Sequence, residues 1–354
     1  MGRRDYTTTK QKVADQPRYI TMAFYKFHDI PASTLPELRS TLLQDLGALG
    51  VVGRIYISTE GINAQMSCPD HGVEALRDYC TSSIAPLLGG ELMDLNIATQ
   101  GDSAAFRALH VRIRKQLVAD GLDPTTYDLK NTPSHLSPKD WHEKLVNYKE
   151  IHGKEPVLID MRNHYESNIG FFEGAIRPDA DTFRDSITAM NEICKDLPRD
   201  QEIFMYCTGG IRCSKAGAIL QSQSGFDKVH LVEGGITAYG RWIQDQEHLQ
   251  SIFRGKNFTF DGRMGETITD EITGTQCHIC PVLVDGVRAY VKEGHTLEES
   301  KRHDRVVIGT SGKACEHEYH RRTRAIEVLG QPGQVLQEWA KAGRQLPPSP
   351  TTSS

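Results

Sequence analysis

Hydrophobic positions follow two different patterns along the chain, before and after a polar stretch at residues 119–138. In residues 19–118, the strand patterns YITMAFYKF and GVVGRIYIS alternate with the helical periodicity of STLPELRSTLLQDLGAL and HGVEALRDYCTS. ELMDLNIAT and HVRIRKQLV add two further strand patterns. The order, close to β-α-β-α-β-β, predicts a split βαβ, ferredoxin-like α+β domain.

In residues 139–250, apolar strand patterns and helical patterns alternate in a different way. PVLIDMR, EIFMYC and VHLVEGG are short, continuously apolar strand patterns, and helical patterns such as SPKDWHEKLVNYK, FRDSITAMNEICKDL and CSKAGAILQSQS lie between them. Buried strands that alternate with helices are typical of a doubly wound parallel sheet. We therefore predict an α/β domain here.

The remaining segments have weaker patterns. We predict a basic arm over 1–18, a proline-punctuated linker over 119–138, an irregular cysteine-containing C-terminal region over 251–345 and a disordered tail over 346–354.

Composition narrows the function classes. A net charge of −5 excludes a uniformly basic nucleic-acid coat, although local basic patches remain compatible with it. No run of 18 apolar residues occurs, and the first residues lack the apolar segment of a secretory signal. The eight cysteines are too sparse for the disulfide framework of a small secreted domain. We expect a cytoplasmic protein with no membrane partner.

The segment CTGGIRCSKAG follows the strand pattern EIFMY and carries the main candidate chemistry. Ligands of parallel sheets bind beyond the carboxyl ends of the strands, which is where Cys207 lies. A helix is predicted to begin near Cys213, so its N-terminus and Arg212 would stabilise a Cys207 thiolate. We predict Cys207 and Arg212 as catalytic residues. The predicted active-site loop also contains Thr208, Gly209, Gly210, Ile211 and Cys213.

Other readings of this loop are less consistent with the residues. No Walker-type phosphate loop is present, and C-x5-C is poor zinc spacing. A disulfide between Cys207 and Cys213 stays open, although it would leave Arg212 without an anion. Cys213 either caps the helix or resolves an oxidised Cys207. Asp160 ends the strand pattern PVLID and Arg162 follows it, so both are predicted at the cleft near the mouth of the sheet, where Arg162 would pair with an acidic neighbour.

Three segments together resemble a rhodanese domain: PVLIDMRNHYESNIGFFEGAIRP, CTGGIRCSKAG and VHLVEGGITAY. The five-residue step from Cys207 to Arg212 matches the short sulfurtransferase loop. The resemblance implies that Cys207 is the cysteine that can carry a persulfide.

A second resemblance covers about residues 19–280. GRIYISTEGINAQMS and FRALHVRIRKQLV, followed by the loop CTGGIRC, are similar to the tRNA uridine(34) hydroxylase family. This resemblance implies oxygen-dependent formation of 5-hydroxyuridine at the wobble position of tRNA, with the anticodon loop as partner, molecular oxygen as co-substrate and no DNA substrate. The residues identify no cofactor.

Basic residues near the end of the first domain are candidates for RNA binding: Arg107, Arg112, Arg114 and Lys115. Arg112 and Arg114 share one face of a predicted strand, which suits a phosphate backbone. The alternative is that these basic residues form only solvated polar surfaces and do not contact RNA. The segment Glu60–Asn63 is predicted as a turn after the second strand.

The C-terminal region contains four possible metal ligands: Cys277, Cys280, Cys315 and His320. Their types and number suit tetrahedral zinc. The family resembled here usually has further cysteine pairs in this region, so zinc is not implied by the resemblance.

Two alternatives to hydroxylation follow from the same residues. A thiosulfate-type sulfurtransferase would pass sulfur through a Cys207 persulfide. A non-enzymatic tRNA-binding or sulfur-relay adaptor would use the loop only as an anion site.

Overall fold

The computed structural model describes residues 18–90, 95–98, 104–261, 263 and 265–269, together with the backbone of two short strands at 274–276 and 283–285. The chain divides into two compact units, Met1–Leu117 and Val118–Ser354. No helix within these described ranges is long and apolar enough to cross a membrane.

The first unit contains a five-stranded sheet in the order β4-β1-β3-β2-β5. Its strands are β1 (Tyr19–Phe27), β2 (Val52–Ser58), β3 (Gly61–Pro69), β4 (Asn96–Ile97) and β5 (Leu109–Ile113), and its helices are α1 (Leu35–Ala48) and α2 (Val73–Tyr79). The first four strands and two helices have the ferredoxin-like order, which confirms the predicted fold class.

One face of this sheet packs against the helices. Alternate strand residues such as Ile55 and Ala64 are fully buried against Leu42 and Leu46 of α1. This alternation is the reason that the period-2 pattern of the sequence predicted the strands correctly.

The sequence-based prediction missed β3. Residues 60–63, predicted as a turn, belong to a tight hairpin in which Ser58 pairs with Gly61 and Tyr56 with Asn63. Gly61 has a φ of 130°, and a Cβ there would overlap the carbonyl oxygen of Lys26. The turn is therefore only two residues long, and its glycine is the first residue of a strand.

The second unit contains a parallel four-stranded sheet in the order β6-β10-β9-β7 and an antiparallel sheet in the order β12-β11-β8. Its strands are β6 (Ser134–Leu136), β7 (Val157–Asp160), β8 (Gly170–Phe172), β9 (Ile203–Tyr206), β10 (Val229–Val232), β11 (Phe253–Asn257), β12 (Glu266–Thr267), β13 (Gly274–Gln276) and β14 (Leu283–Asp285). Its helices are α3 (Pro138–His152), α4 (His164–Ser167), α5 (Phe183–Cys194), α6 (Ile211–Ser224) and α7 (Gly235–Gln244).

Both faces of the parallel sheet are covered. Ile203 and Met205 of β9 pack in one core with α5 and α6, whereas Phe204 and Tyr206 pack in another with α3 and α7. All four residues are fully buried, which accounts for the continuously apolar strand pattern. The predicted doubly wound sheet is confirmed.

Residues that the sequence predicted as linker or as irregular region also belong to this unit. Within 119–138, β6 pairs with β10 of the parallel sheet. Within 251–345, β11 pairs with β8, and Phe253 is fully buried. Both strands are short and lie beside polar or proline-rich sequence, which hides them from pattern analysis.

A buried ion pair joins residue 120 to the helix that follows the Cys207 loop. Lys215 Nζ on α6 lies 2.7 Å from Asp120 Oδ2, and both side chains have no solvent exposure. Lys215 also donates to the carbonyl oxygen of Val118, and Asp120 accepts from the hydroxyl of Tyr127. The segment before β6 is therefore held against α6 by a buried ion pair.

We expect Lys215→Met to lower the free energy of unfolding of the second unit by ~3–5 kcal/mol, because it leaves the Asp120 carboxylate buried without its partner. Trp141, Trp242 and Trp339 are the three tryptophans of the chain and all follow residue 117, so denaturation followed by tryptophan fluorescence reports on this unit.

Lys195→Met is the matched control, because Lys195 and its partner Glu192 are mostly exposed. It should cost less than ~1 kcal/mol. Adding Asp120→Asn to Lys215→Met should recover part of the loss. Equal effects of the two lysine variants would contradict the prediction.

Candidate active site

The Cys207 loop connects the end of β9 to the start of α6. The helix begins at Ile211, two residues before the predicted start at Cys213. Gly210 has a φ of 101°, a conformation that strongly favours glycine, and its N–H points back toward the start of the loop, at the Cys207 Sγ. The Cys207 sulfur therefore lies at the N-terminus of a 14-residue helix.

Cys207 is buried, with 1% of its surface exposed, and its Sγ accepts a hydrogen bond from the Gly210 N–H at 3.1 Å. Burial alone would raise the pKa of Cys207. The hydrogen bonds from the Cys213 side chain and from the N–H groups of Gly210 and Cys213, together with the positive charge of Arg212, outweigh burial and lower the pKa to about 6. Cys207 is therefore a thiolate at neutral pH.

Cys213 has the opposite character. Burial and the neighbouring Cys207 raise its pKa well above that of an ordinary thiol. Both cysteines are free, so the structure has the two thiols hydrogen-bonded rather than joined in a disulfide. The Cys207 sulfur bears the negative charge, and the Cys213 thiol keeps its proton and donates a hydrogen bond to that sulfur.

Arg212 is held by Glu166, a residue of α4. The two guanidinium nitrogens donate to the two carboxylate oxygens at 2.6 and 2.8 Å, and Arg212 also donates to the Thr208 hydroxyl at 3.2 Å. Glu166 has no solvent exposure, and its Oε1 accepts from the Asn163 N–H at 3.0 Å. This two-point contact fixes the plane of the guanidinium beside the loop.

The start of α7 binds the backbone of the Cys207 loop through two hydrogen bonds. The N–H groups of Ile236 and Thr237 donate to the carbonyl oxygens of Cys207 and Thr208 at 3.0 and 3.1 Å. A Cβ on Gly235 would lie 2.6 Å from both oxygens. Gly235, the second glycine of VHLVEGGITAY, is therefore required for close approach of the two backbones.

Asp160 and Arg162 form the expected pair with an acidic neighbour, but both are buried in the core rather than exposed at a cleft. They pair with each other through two contacts of 2.9 and 2.6 Å, and both are fully buried. Arg162 also donates to the carbonyl oxygen of Gly170 and lies over the Tyr206 ring. Within the structure described, they join β7 to β8 and do not line an open surface.

Residues after α7 complete the surroundings of the loop. The Thr208 hydroxyl lies 3.4 Å from the carbonyl oxygen of Phe258, and the Phe260 ring lies 5.7 Å from the Arg212 guanidinium. Phe258 makes edge contacts with both Tyr165 and Phe260. An aromatic cluster (Tyr165, Phe258, Phe260) therefore lies beside Arg212.

The structure brings the loop residues together within the second unit, whereas the predicted RNA-binding residues belong to the first unit. Arg107, Arg112, Arg114 and Lys115 are exposed on the first unit. Cys277, Cys280, Cys315 and His320 lie outside the described residues, and so do most of the 1–18 arm and the 346–354 tail. The described residues contain no cluster of three or more metal-ligating side chains.

Three elements of the site escaped the sequence prediction: Glu166, the Phe258–Phe260 segment and the Lys215–Asp120 pair. Glu166 had a detectable signal, because N-x-x-E from Asn163 has the spacing of a capping box. The other two depend on contacts between residues about 50 and 95 positions apart, for which local patterns contain no information.

Comparison with known proteins gives the same division of the chain. The family model of the UPF0176 acylphosphatase like domain matches residues 19–117, and that of the rhodanese-like domain matches residues 140–241. A tRNA uridine(34) hydroxylase of Photorhabdus laumondii is 41% identical over 279 residues, which are 79% of this chain and 75% of the relative. The chain belongs to the tRNA uridine(34) hydroxylase family. Another member, from Salmonella arizonae, is 40% identical over 281 residues, which are 79% of this chain and 76% of the relative.

Membership in the tRNA uridine(34) hydroxylase family confirms the resemblance inferred from the sequence. The rhodanese-like match contains the Cys207 loop, Glu166 and the Gly-Gly pair at the start of α7. It ends before Phe258 and Phe260, so the aromatic cluster includes residues beyond that domain.

We expect the far-ultraviolet thiolate absorbance of the protein, minus that of Cys207→Ser, to titrate with a midpoint near pH 6. Cys213→Ala should move the midpoint upward, because the thiolate loses a hydrogen-bond donor.

Cys194→Ala is the matched control for this titration. Cys194 is buried in the same hydrophobic core, but burial raises its pKa to about 11. The control should leave the midpoint unchanged, and a midpoint near 9 in the wild-type protein would overturn the assignment of the thiolate.

Proposed function

We propose that this protein hydroxylates uridine 34 of tRNA to 5-hydroxyuridine, with Cys207 as the attacking group. The observation that carries the proposal is the low-pKa thiolate at the N-terminus of α6, in a chain of the tRNA uridine(34) hydroxylase family. Molecular oxygen is the proposed co-substrate.

The proposed reaction begins with addition of the Cys207 thiolate to C6 of the uracil ring. The electron pair moves to C5 and the C4 carbonyl oxygen, so C5 becomes the nucleophilic carbon. After C5 has gained a hydroxyl group, loss of the C5 proton and of the thiolate restores the ring double bond and frees Cys207. Overall, dioxygen supplies the oxygen atom, and a reductant supplies two electrons, with two protons, to release water.

Each of the site residues has its own proposed role in this reaction. Arg212 and the Gly210 N–H keep Cys207 ionised, and Glu166 orients Arg212. Cys213 donates to the thiolate, and its raised pKa keeps it from competing as a nucleophile.

The proposed substrate segment is the anticodon loop. Cys207 lies below the surface, so a base stacked within a helix cannot reach its sulfur, and the uridine must be splayed out. Loop nucleotides are already unpaired, which lowers the cost of this step. In the aromatic cluster beside Arg212, the partly exposed rings of Tyr165 and Phe260 are the proposed stacking surfaces for the displaced base.

We place the reaction in the cytoplasm. The five cysteines in the described part of the chain are free thiols, including the adjacent Cys207 and Cys213. A reducing compartment preserves a thiolate that has another thiol as its hydrogen-bond donor.

A sulfurtransferase activity is the second candidate, and the Cys207 loop itself favours it. A thiolate fixed by inward N–H groups and an arginine suits transfer of sulfur from an anionic donor such as thiosulfate. The product distinguishes the candidates: thiolated nucleosides indicate sulfur transfer, and 5-hydroxyuridine indicates hydroxylation.

We expect Cys207→Ala to abolish 5-hydroxyuridine in tRNA when it replaces the wild-type protein in cells, because alanine has no nucleophile. Mass spectrometry of tRNA nucleosides provides the measurement. Cys194→Ala is the control and should retain the product. Undiminished 5-hydroxyuridine in Cys207→Ala would end the proposed mechanism.

We also expect kcat/KM for hydroxylation to fall about tenfold per pH unit below pH 6 and to be level between pH 6.5 and 8, on the basis of the Cys207 pKa of about 6. The sign follows from protonation, since a thiol cannot add to C6 at a useful rate.

The acidic limb should move to higher pH in Cys213→Ala and stay in place in Cys194→Ala. A profile with no acidic limb near pH 6 would show that ionisation of Cys207 does not limit the reaction.

A further inference from the structure

The sheet of the first unit has one face that the helices do not cover. Six side chains on that face form two rows across β3, β2 and β5, and we call them the outer sheet face. The pairing register defines one row as Gln65–Arg54–His110 and the other as Asn63–Tyr56–Arg112. None of the six is buried, and His110 and Arg112 are exposed.

The acidic residues of this unit's helices and strands all lie on the helix side of the sheet. None of its five strands contains an aspartate or glutamate. The helices on the other side carry four acidic residues, Glu37, Asp45, Glu74 and Asp78, against two arginines, Arg39 and Arg77. The outer sheet face therefore has positive charge in a chain whose net charge is −5, and a polyanion is the complementary partner.

An aromatic ring lies within this basic surface. Tyr56 is half-buried at the centre of its row, and the Arg114 guanidinium lies 5.2 Å from the ring centre. An aromatic ring and a guanidinium plane are the two side-chain surfaces on which nucleic-acid bases stack. The amides of Asn63 and Gln65 beside them can both donate and accept hydrogen bonds.

We propose that the outer sheet face binds single-stranded RNA, with Arg54 and Arg112 on phosphates and Tyr56 stacked on a base. The proposal rests on the proposed function only in the choice of tRNA as the physiological RNA. A single strand is favoured over a duplex, because bases within a duplex do not present their faces to a ring. The outer sheet face adds Arg54 and the aromatic Tyr56 to the RNA-binding candidates that the sequence indicated.

The test measures binding of fluorescein-labelled oligouridylate by anisotropy over a range of salt concentrations. The protein is the full chain with Cys207→Ser, which blocks chemistry at the thiol. Arg54→Gln and Arg112→Gln should each weaken binding and reduce the slope of log Kd against log salt by about 0.7, the value for one phosphate contact on a single strand.

Variants of Tyr56 distinguish the contribution of stacking to RNA binding from the contribution of charge. Tyr56→Ala should weaken binding about 5- to 150-fold with an unchanged salt slope, whereas Tyr56→Phe should retain affinity because the ring remains. Double-stranded competitor RNA should compete less well than the single strand.

Arg77→Gln is the matched control, because Arg77 is a partly exposed arginine on α2, on the helix side of the sheet. It should change neither affinity nor slope. Equal losses in Arg77→Gln and Arg54→Gln, or unchanged affinity in Tyr56→Ala, would overturn the proposal, and so would absence of RNA binding. Circular dichroism checks that each variant is folded.

Hydroxylation is assayed separately in the wild-type chain. If no 5-hydroxyuridine forms but binding shows these effects, the proposed function fails and the RNA-binding surface stands. If hydroxylation proceeds and the outer-face variants bind RNA normally, only the RNA-binding surface fails.

Discussion

A buried negative charge on Cys207 is the interaction around which the second unit is organised. An isolated thiolate in a core would take up a proton, so the charge persists only because Gly210, Cys213 and Arg212 stabilise it. Arg212 in turn needs its own partner, and the fully buried Glu166 supplies it. The nucleophile therefore depends on α4, which lies about 40 residues before the loop.

Backbone geometry around the loop follows from the same requirement. The helices α6 and α7 both begin next to the loop: α6 directs N–H groups at the Cys207 sulfur, and α7 directs N–H groups at the carbonyl oxygens of Cys207 and Thr208. Gly210 and Gly235 permit the two approaches, one through its φ angle and the other through its lack of a Cβ. With its backbone held on both sides, the loop is preorganised for negative charge.

The two units differ in the kind of charge they present. The second unit buries certain charge pairs, such as Arg212–Glu166 and Lys215–Asp120, which fix the position of the site. The first unit leaves Arg54 and Arg112 unburied on a sheet without acidic residues, where the proposed RNA contacts lie. This contrast supports a division between a unit that recognises RNA and a unit that performs chemistry.

The sequence by itself determined the two fold classes, because apolar periodicity reports which faces are buried. It also placed Cys207 at the end of a strand, with Arg212 in the segment that follows. It missed β3, because a two-residue turn followed by a glycine resembles a loop. It also placed the Asp160–Arg162 pair at a cleft, although the pair lies inside the core. Tertiary structure alone decided that Glu166 holds Arg212, that Phe260 lies beside that arginine and that Tyr56 shares a face with Arg54 and Arg112. These are contacts between segments distant in sequence, and local patterns record burial but not which buried or facing groups meet.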